Sequence, residues 1–134
     1  MAWNSYPASK LLVDSVWGKA TVYALQHWLR RRGYYGTAYA LDGQLGVYSI
    51  KAWQRMLRDK GRNGAQYTGL IDGYMGKMTI TAACEFLLSR GSVYTPGAQD
   101  GYYILNNNSE IAKTFPDYHL TQAWQRFLND HRYG

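Results

Sequence analysis

The side chains of this 134-residue chain that could move protons, hold a metal or attack a carbonyl are two glutamates, seven aspartates, three histidines and one cysteine. A glycosidase needs a carboxyl pair across the scissile bond, one member kept protonated. Glu85 falls inside a helical pattern and Glu110 in a polar loop. The aspartates Asp14, Asp42, Asp59, Asp72, Asp100, Asp117 and Asp130 fall at turns or exposed helix ends, where a carboxylate shapes the backbone or meets solvent. A zinc hydrolase needs several ligands converging on one ion and a general base. His27, His119 and His131 show neither H-x-x-x-H nor H-x-E spacing, and a single cysteine makes no disulfide. Cys84 beside a histidine would be a nucleophile, but the equivalent positions of its repeat hold Gln26 and Gln54, which suits a small half-buried filler. The expectation is therefore no catalytic residue, no metal and no cofactor.

Binding chemistry is better represented. Thirteen tyrosines stand against three phenylalanines, so most rings carry a hydroxyl. A sugar ring offers an apolar C–H face rimmed by hydroxyls, which a tyrosine meets by stacking and by hydrogen bonding. The candidates lie in connectors between apolar stripes: Tyr34, Tyr35 and Tyr39, then Tyr67 and Tyr74, then Tyr102 and Tyr103. Arg55 and Arg58, with Arg30, Arg31 and Arg32, could pair with carboxylates or phosphates. Trp28 and Trp53 stand at helical spacing and read as core. A net charge of +6 favours a partner that is anionic in bulk, such as a nucleic acid, a membrane surface or a bacterial wall polymer.

The elements that must carry these groups are written three times. Asp, two variable residues, an apolar residue, Gly, two more variable residues and Ser or Thr recur as Asp14/Trp17/Gly18/Thr21, Asp42/Leu45/Gly46/Ser49 and Asp72/Met75/Gly76/Thr79. Each is followed by an apolar stripe, Val22/Leu25/Leu29, Ile50/Trp53/Leu57 and Ile80/Ala83/Leu87, which predicts an amphipathic helix. Asp-Gly predicts a turn, weaker where Ser15 replaces the glycine, and either the later Gly or the Ser/Thr could be the N-cap. Trp17, Leu45 and Met75 are placed to tuck under their helices. Helix ends are expected near Gly33, Gly61 and Gly91.

Residues 11 to 91 thus predict a three-helix bundle. With "ALQHWL" and "AWQRML" in the helices, this repetition resembles the peptidoglycan-binding domain type 1 family. Lys19, Val47 and Lys77 stand where that family often has proline, and Cys84 where it has glutamine. The resemblance implies a small helical module that accompanies catalytic domains in bacterial wall hydrolases and phage endolysins. The aromatic and basic character is similar to wall-targeting halves of lysins from phages of Gram-positive, especially actinobacterial, hosts.

Residues 92 to 134 change texture: "SVYTPGAQDGYYILNNNSE" predicts a loop or hairpin, and "YHLTQAWQRFLNDH" a degenerate fourth helix with the stripe Thr121/Trp124/Leu128. Residues 1 to 10 read as a poorly ordered lead-in or linker. The expected fold is all-α: a three-helix bundle of turn-helix repeats, with a C-terminal loop and a fourth helix packed across it, or docked on a second copy. The expected function is a non-catalytic domain that targets a lysin or wall hydrolase to peptidoglycan or an associated polymer, its catalytic partner lying in the same or another chain. A monomer is favoured, and no membrane contact is expected. Without a signal peptide, the chain is expected to be made in the host cytoplasm and to act at the wall. Two rivals stand beside this reading. A basic nucleic-acid-binding helical domain is disfavoured by the scatter of its cations, and a free-standing small wall hydrolase would rest on Glu85 or Glu110. A purely structural or assembly role for the repeats is also open.

Overall fold

The computed structural model describes residues 6–14, 16–60, 69–89 and 118–132. Among them are four helices and no strand: α1 (Lys19–Arg31), α2 (Val47–Lys60), α3 (Lys77–Ser89) and α4 (Tyr118–Asp130). All four predicted stripes are buried, including Thr121, Trp124 and Leu128 of α4. The fold is all-α, as expected from their period. Ser15, Gly61 and Gly91 lie outside the described residues.

The repeat signature builds each helix start. Gly18, Gly46 and Gly76 carry the carbonyls that accept the first helical bonds, from Val22, Ile50 and Ile80 at 3.0 Å each. The glycine is therefore the N-cap, a point the sequence left open. The Ser/Thr hydroxyl points back to the turn instead: Thr21 and Ser49 donate to the carbonyls of Val16 and Gln44 at 3.3 Å, and Thr79 to Tyr74 at 3.5 Å. Gly43 and Gly73, at φ of 72° and 73°, supply the left-handed residue of each Asp-Gly turn. α1 ends as predicted, with Gly33 at φ 86° and Tyr34 N–H donating back to the Leu29 carbonyl at 2.9 Å.

The fourth helix does more than lie across a finished bundle. α1 packs on α2 and α4, and α3 packs on the same two, so the helices close a ring. Across the ring the diagonals meet through aromatic side chains, Trp28 with Phe86 at 6.4 Å and Trp53 with Trp124 at 5.1 Å between ring centroids. Large and small alternate by register: Trp53 of α2 and Trp124 of α4 occupy the position that holds Leu25 in α1 and Ala83 in α3, whereas Trp28 and Phe86 stand one turn later. Phe127 fills the remaining space, edge-on to Trp28 at 5.1 Å. Each such ring, withdrawn from water, stabilises the fold by roughly 1.5–3 kcal/mol. Three helices alone would leave this centre open, and the expected fourth helix closes the three repeats into a four-helix ring. Trp17, Leu45 and Met75 pack against the same core, as expected.

The expectation of a loose lead-in over residues 1 to 10 fails from Tyr6 onward. Tyr6 is only 3% exposed, and its hydroxyl donates to the Leu128 carbonyl at 2.7 Å. That carbonyl belongs to the last turn of α4, where no helical donor reaches it. Asn129 then clamps Leu11 from both sides, accepting from its N–H at 2.6 Å and donating to its carbonyl at 3.0 Å. A short polar segment holding one proline has no periodicity, so nothing in its pattern signals this docking.

Candidate functional site

The fixed aspartates are the first residues to place, because a carboxylate is the commonest hydrolytic group. Each caps its own turn, accepting at 3.0 Å from the backbone N–H two residues on: Val16 for Asp14, Gln44 for Asp42 and Tyr74 for Asp72. Each also receives a buried glutamine from another helix. The Gln26 side-chain amide of α1 donates to Asp42 at 3.0 Å, to the Gln44 carbonyl at 3.0 Å and to Ser49 Oγ at 2.7 Å, while its oxygen accepts from Gly43 N–H at 3.0 Å. Gln54 of α2 repeats the pattern on Asp72, the Tyr74 carbonyl, Thr79 and Gly73 N–H. Gln125 of α4 repeats it on Asp14, the Val16 carbonyl and Thr21. Among the described residues, Asp, Gln and Ser/Thr thus form the same polar knot at three joints. The bonds from Gln26 and Gln54 hold Asp42 and Asp72 below the ordinary carboxylate value of 3.8. Both stay ionised near neutrality, the opposite of what a general acid needs.

In the sequence, the matching register of α3 and α4 holds Cys84 in place of the glutamine and Leu120 in place of the Ser/Thr. The side chains of Cys84, Glu85 and His119 lie outside the described part, as does Glu110. Among the described residues no three His, Cys, Asp or Glu side chains gather in a way that could hold a metal ion. His27 lies edge-on to Tyr6 at 5.6 Å, and burial, then Arg31 and Arg30, lower its basicity.

The predicted binding residues take different places. Tyr67, Tyr102 and Tyr103 lie outside the described residues. Tyr35 is corrected: it is 5% exposed, belongs to the core and donates its hydroxyl to the Ala40 carbonyl at 2.6 Å, closing its own loop. It offers no free face to a ligand. Tyr34, Arg55 and Arg58 come together where the first connector crosses α2. Arg55 donates to the Tyr34 carbonyl at 3.3 Å, and Arg58 pairs with Asp59 at 3.0 Å. Burial, then the Asp59 carboxylate, push the Tyr34 phenol above its ordinary value, which keeps it a donor.

Tyr39 leads to the residue that sequence reasoning missed. Its ring stacks on Tyr48 at 4.3 Å with planes 19° apart, and Tyr35 sits behind it at 6.0 Å. Tyr39 is therefore a support, and Tyr48, on the first turn of α2 and 54% exposed, is the outermost ring of the stack. A tyrosine on the polar side of a helix reads as ordinary surface, so only the stacking singles it out. Tyr74, on the third turn, is exposed as expected, at 72%.

The arginines of α1 mostly serve the chain itself. Arg30 donates to the Tyr39 and Gly36 carbonyls, and Arg31 to the His131 carbonyl at 2.6 Å. Arg132 donates to the Asn129 and Pro7 carbonyls at 3.2 and 3.1 Å. Cations near helix C-termini are favoured by the peptide dipoles, and this use of them is structural. No described helix is long and apolar enough to cross a membrane. The chain matches no known protein family, no curated protein and no solved structure.

Proposed function

We propose that this chain is a non-catalytic binding domain for bacterial peptidoglycan or an associated wall polymer, and that it tethers a wall hydrolase to its insoluble substrate. The observation that carries the reading is the exposed Tyr48 ring, held in place by Tyr39 and Tyr35 beneath it. A flat, rigid, hydroxyl-bearing face suits the apolar side of a sugar and loses little side-chain freedom on binding. Two further features support it. The ionised, knot-bound Asp42 and Asp72 act as scaffold, and the guanidiniums of Arg30, Arg31 and Arg132 turn towards the chain's own carbonyls, which leaves fewer of their N–H donors for phosphate oxygens. The resemblance in the repeats points the same way.

The test is co-sedimentation with purified peptidoglycan, stripped of phosphate-bearing polymers, at low and at about molar salt, where exposed charges are screened within roughly 3 Å. The expected result is pelleting that survives high salt and falls at least severalfold in Tyr48→Ala, with the melting temperature unchanged. Pelleting at low salt alone, or none, would overturn the reading and make an anionic polymer the better candidate.

A further inference from the structure

The second and third turns are joined by an unusually close approach. A Cβ on Gly73 would lie 2.6 Å from Val47 Cγ1 and 3.3 Å from Val47 Cα, so only glycine lets the third turn press on the first residue of α2. Tyr48 follows Val47 and Tyr74 follows Gly73. Their Cα atoms are consequently no more than about 12 Å apart, given the fixed 3.8 Å step between neighbouring Cα atoms. Val47, Leu70 and Met78 are exposed apolar neighbours of these rings along the chain. Aromatic and aliphatic surface therefore extends from the first turn of α2 to the start of α3, through the Val47–Gly73 contact.

Among the described residues, charges of both signs bear on this surface. Arg30, tied to the Tyr39 carbonyl, and Asp42 both act on the Tyr35 ring at the base of the stack, and Lys51 acts on Asp72. Mixed charge around two hydroxyl-bearing rings suits an uncharged polymer with repeated apolar faces better than a polyanion, which needs an uncompensated row of cations.

Resting on the wall-binding reading, we propose that Tyr48 and Tyr74 are two platforms of one track, which takes successive N-acetylated sugars of an uncharged β-linked glycan strand rather than the stem peptide. Two weak contacts on one ligand act at high effective concentration, so the track makes affinity depend on strand length. A single platform would bind short and long strands alike.

The probes are β-1,4-linked N-acetylglucosamine oligosaccharides, a disaccharide and a hexasaccharide, titrated into the full chain by calorimetry. The hexasaccharide should bind at least about tenfold tighter, in excess of the statistical gain from its extra registers. Tyr74→Ala and Tyr48→Ala should each lower hexasaccharide affinity to near the disaccharide level, because either change leaves a single platform. Both side chains are exposed, so unaltered melting temperatures would show that the variants fold. Equal binding of the two lengths, or a length dependence that Tyr74→Ala does not touch, overturns the track. Pelleting with intact peptidoglycan but no affinity for either oligosaccharide overturns it too, and leaves the wall-binding reading standing on another wall component. A concentration-dependent dimer dissolved by Tyr74→Ala would assign this face to a second copy, and would also overturn it.

Discussion

At the scale of residues, the same side-chain type does opposite work according to what lies beneath it. Tyr35 lies in a loop and is buried, whereas Tyr48 lies on a helix and is exposed. Loop membership was legible in the sequence; exposure was not, because it depends on which connector crosses which helix. The aspartates carry a pH consequence. Asp42 and Asp72 titrate below their ordinary value in the folded chain, so the unfolded chain binds more protons in that acidic window. Their contribution is complete above the ordinary value of 3.8 and is lost as pH falls through the lower folded values. Urea midpoints measured from pH 5 down to about pH 2.5 should fall steeply for the wild type and visibly less for Asp42→Asn/Asp72→Asn.

Among elements, the joints are the unit of construction. The apolar stripes and Asp-Gly turns could be read directly, because period and turn chemistry are local. The glutamines could not, since Gln26 and Gln54 look like helix surface until the next turn arrives to bury them. Their partners lie 16 to 25 residues away, and those of Gln125 lie 104 to 111 away. Gln54→Ala would leave the Gly73 N–H, the Tyr74 carbonyl and Thr79 Oγ without their glutamine partner at a site that is largely closed to water. We expect a loss of about 2–4 kcal/mol by chemical denaturation.

For the whole molecule, the recurrence of Ala-Trp-Gln-Arg in α2 and α4 was the readable sign of a fourth helix, and the ring it closes was not readable, because closure is a property of packing. A chain ending before Tyr118 would lose Trp124 and Phe127 from the aromatic centre and Gln125 from the first joint. Circular dichroism and dye binding should find it without a cooperative transition, instead of the stable three-helix domain that the repeats suggest. The first joint has a further meaning in time. During synthesis the turns held by Gln26 and Gln54 find their partners within a few dozen residues, but Asp14 and Thr21 wait for Gln125. The first of these turns is fastened last. A chain interrupted anywhere before its final helix therefore keeps an open beginning, exposed to proteases, so that synthesis delivers either the closed domain or a fragment marked for removal.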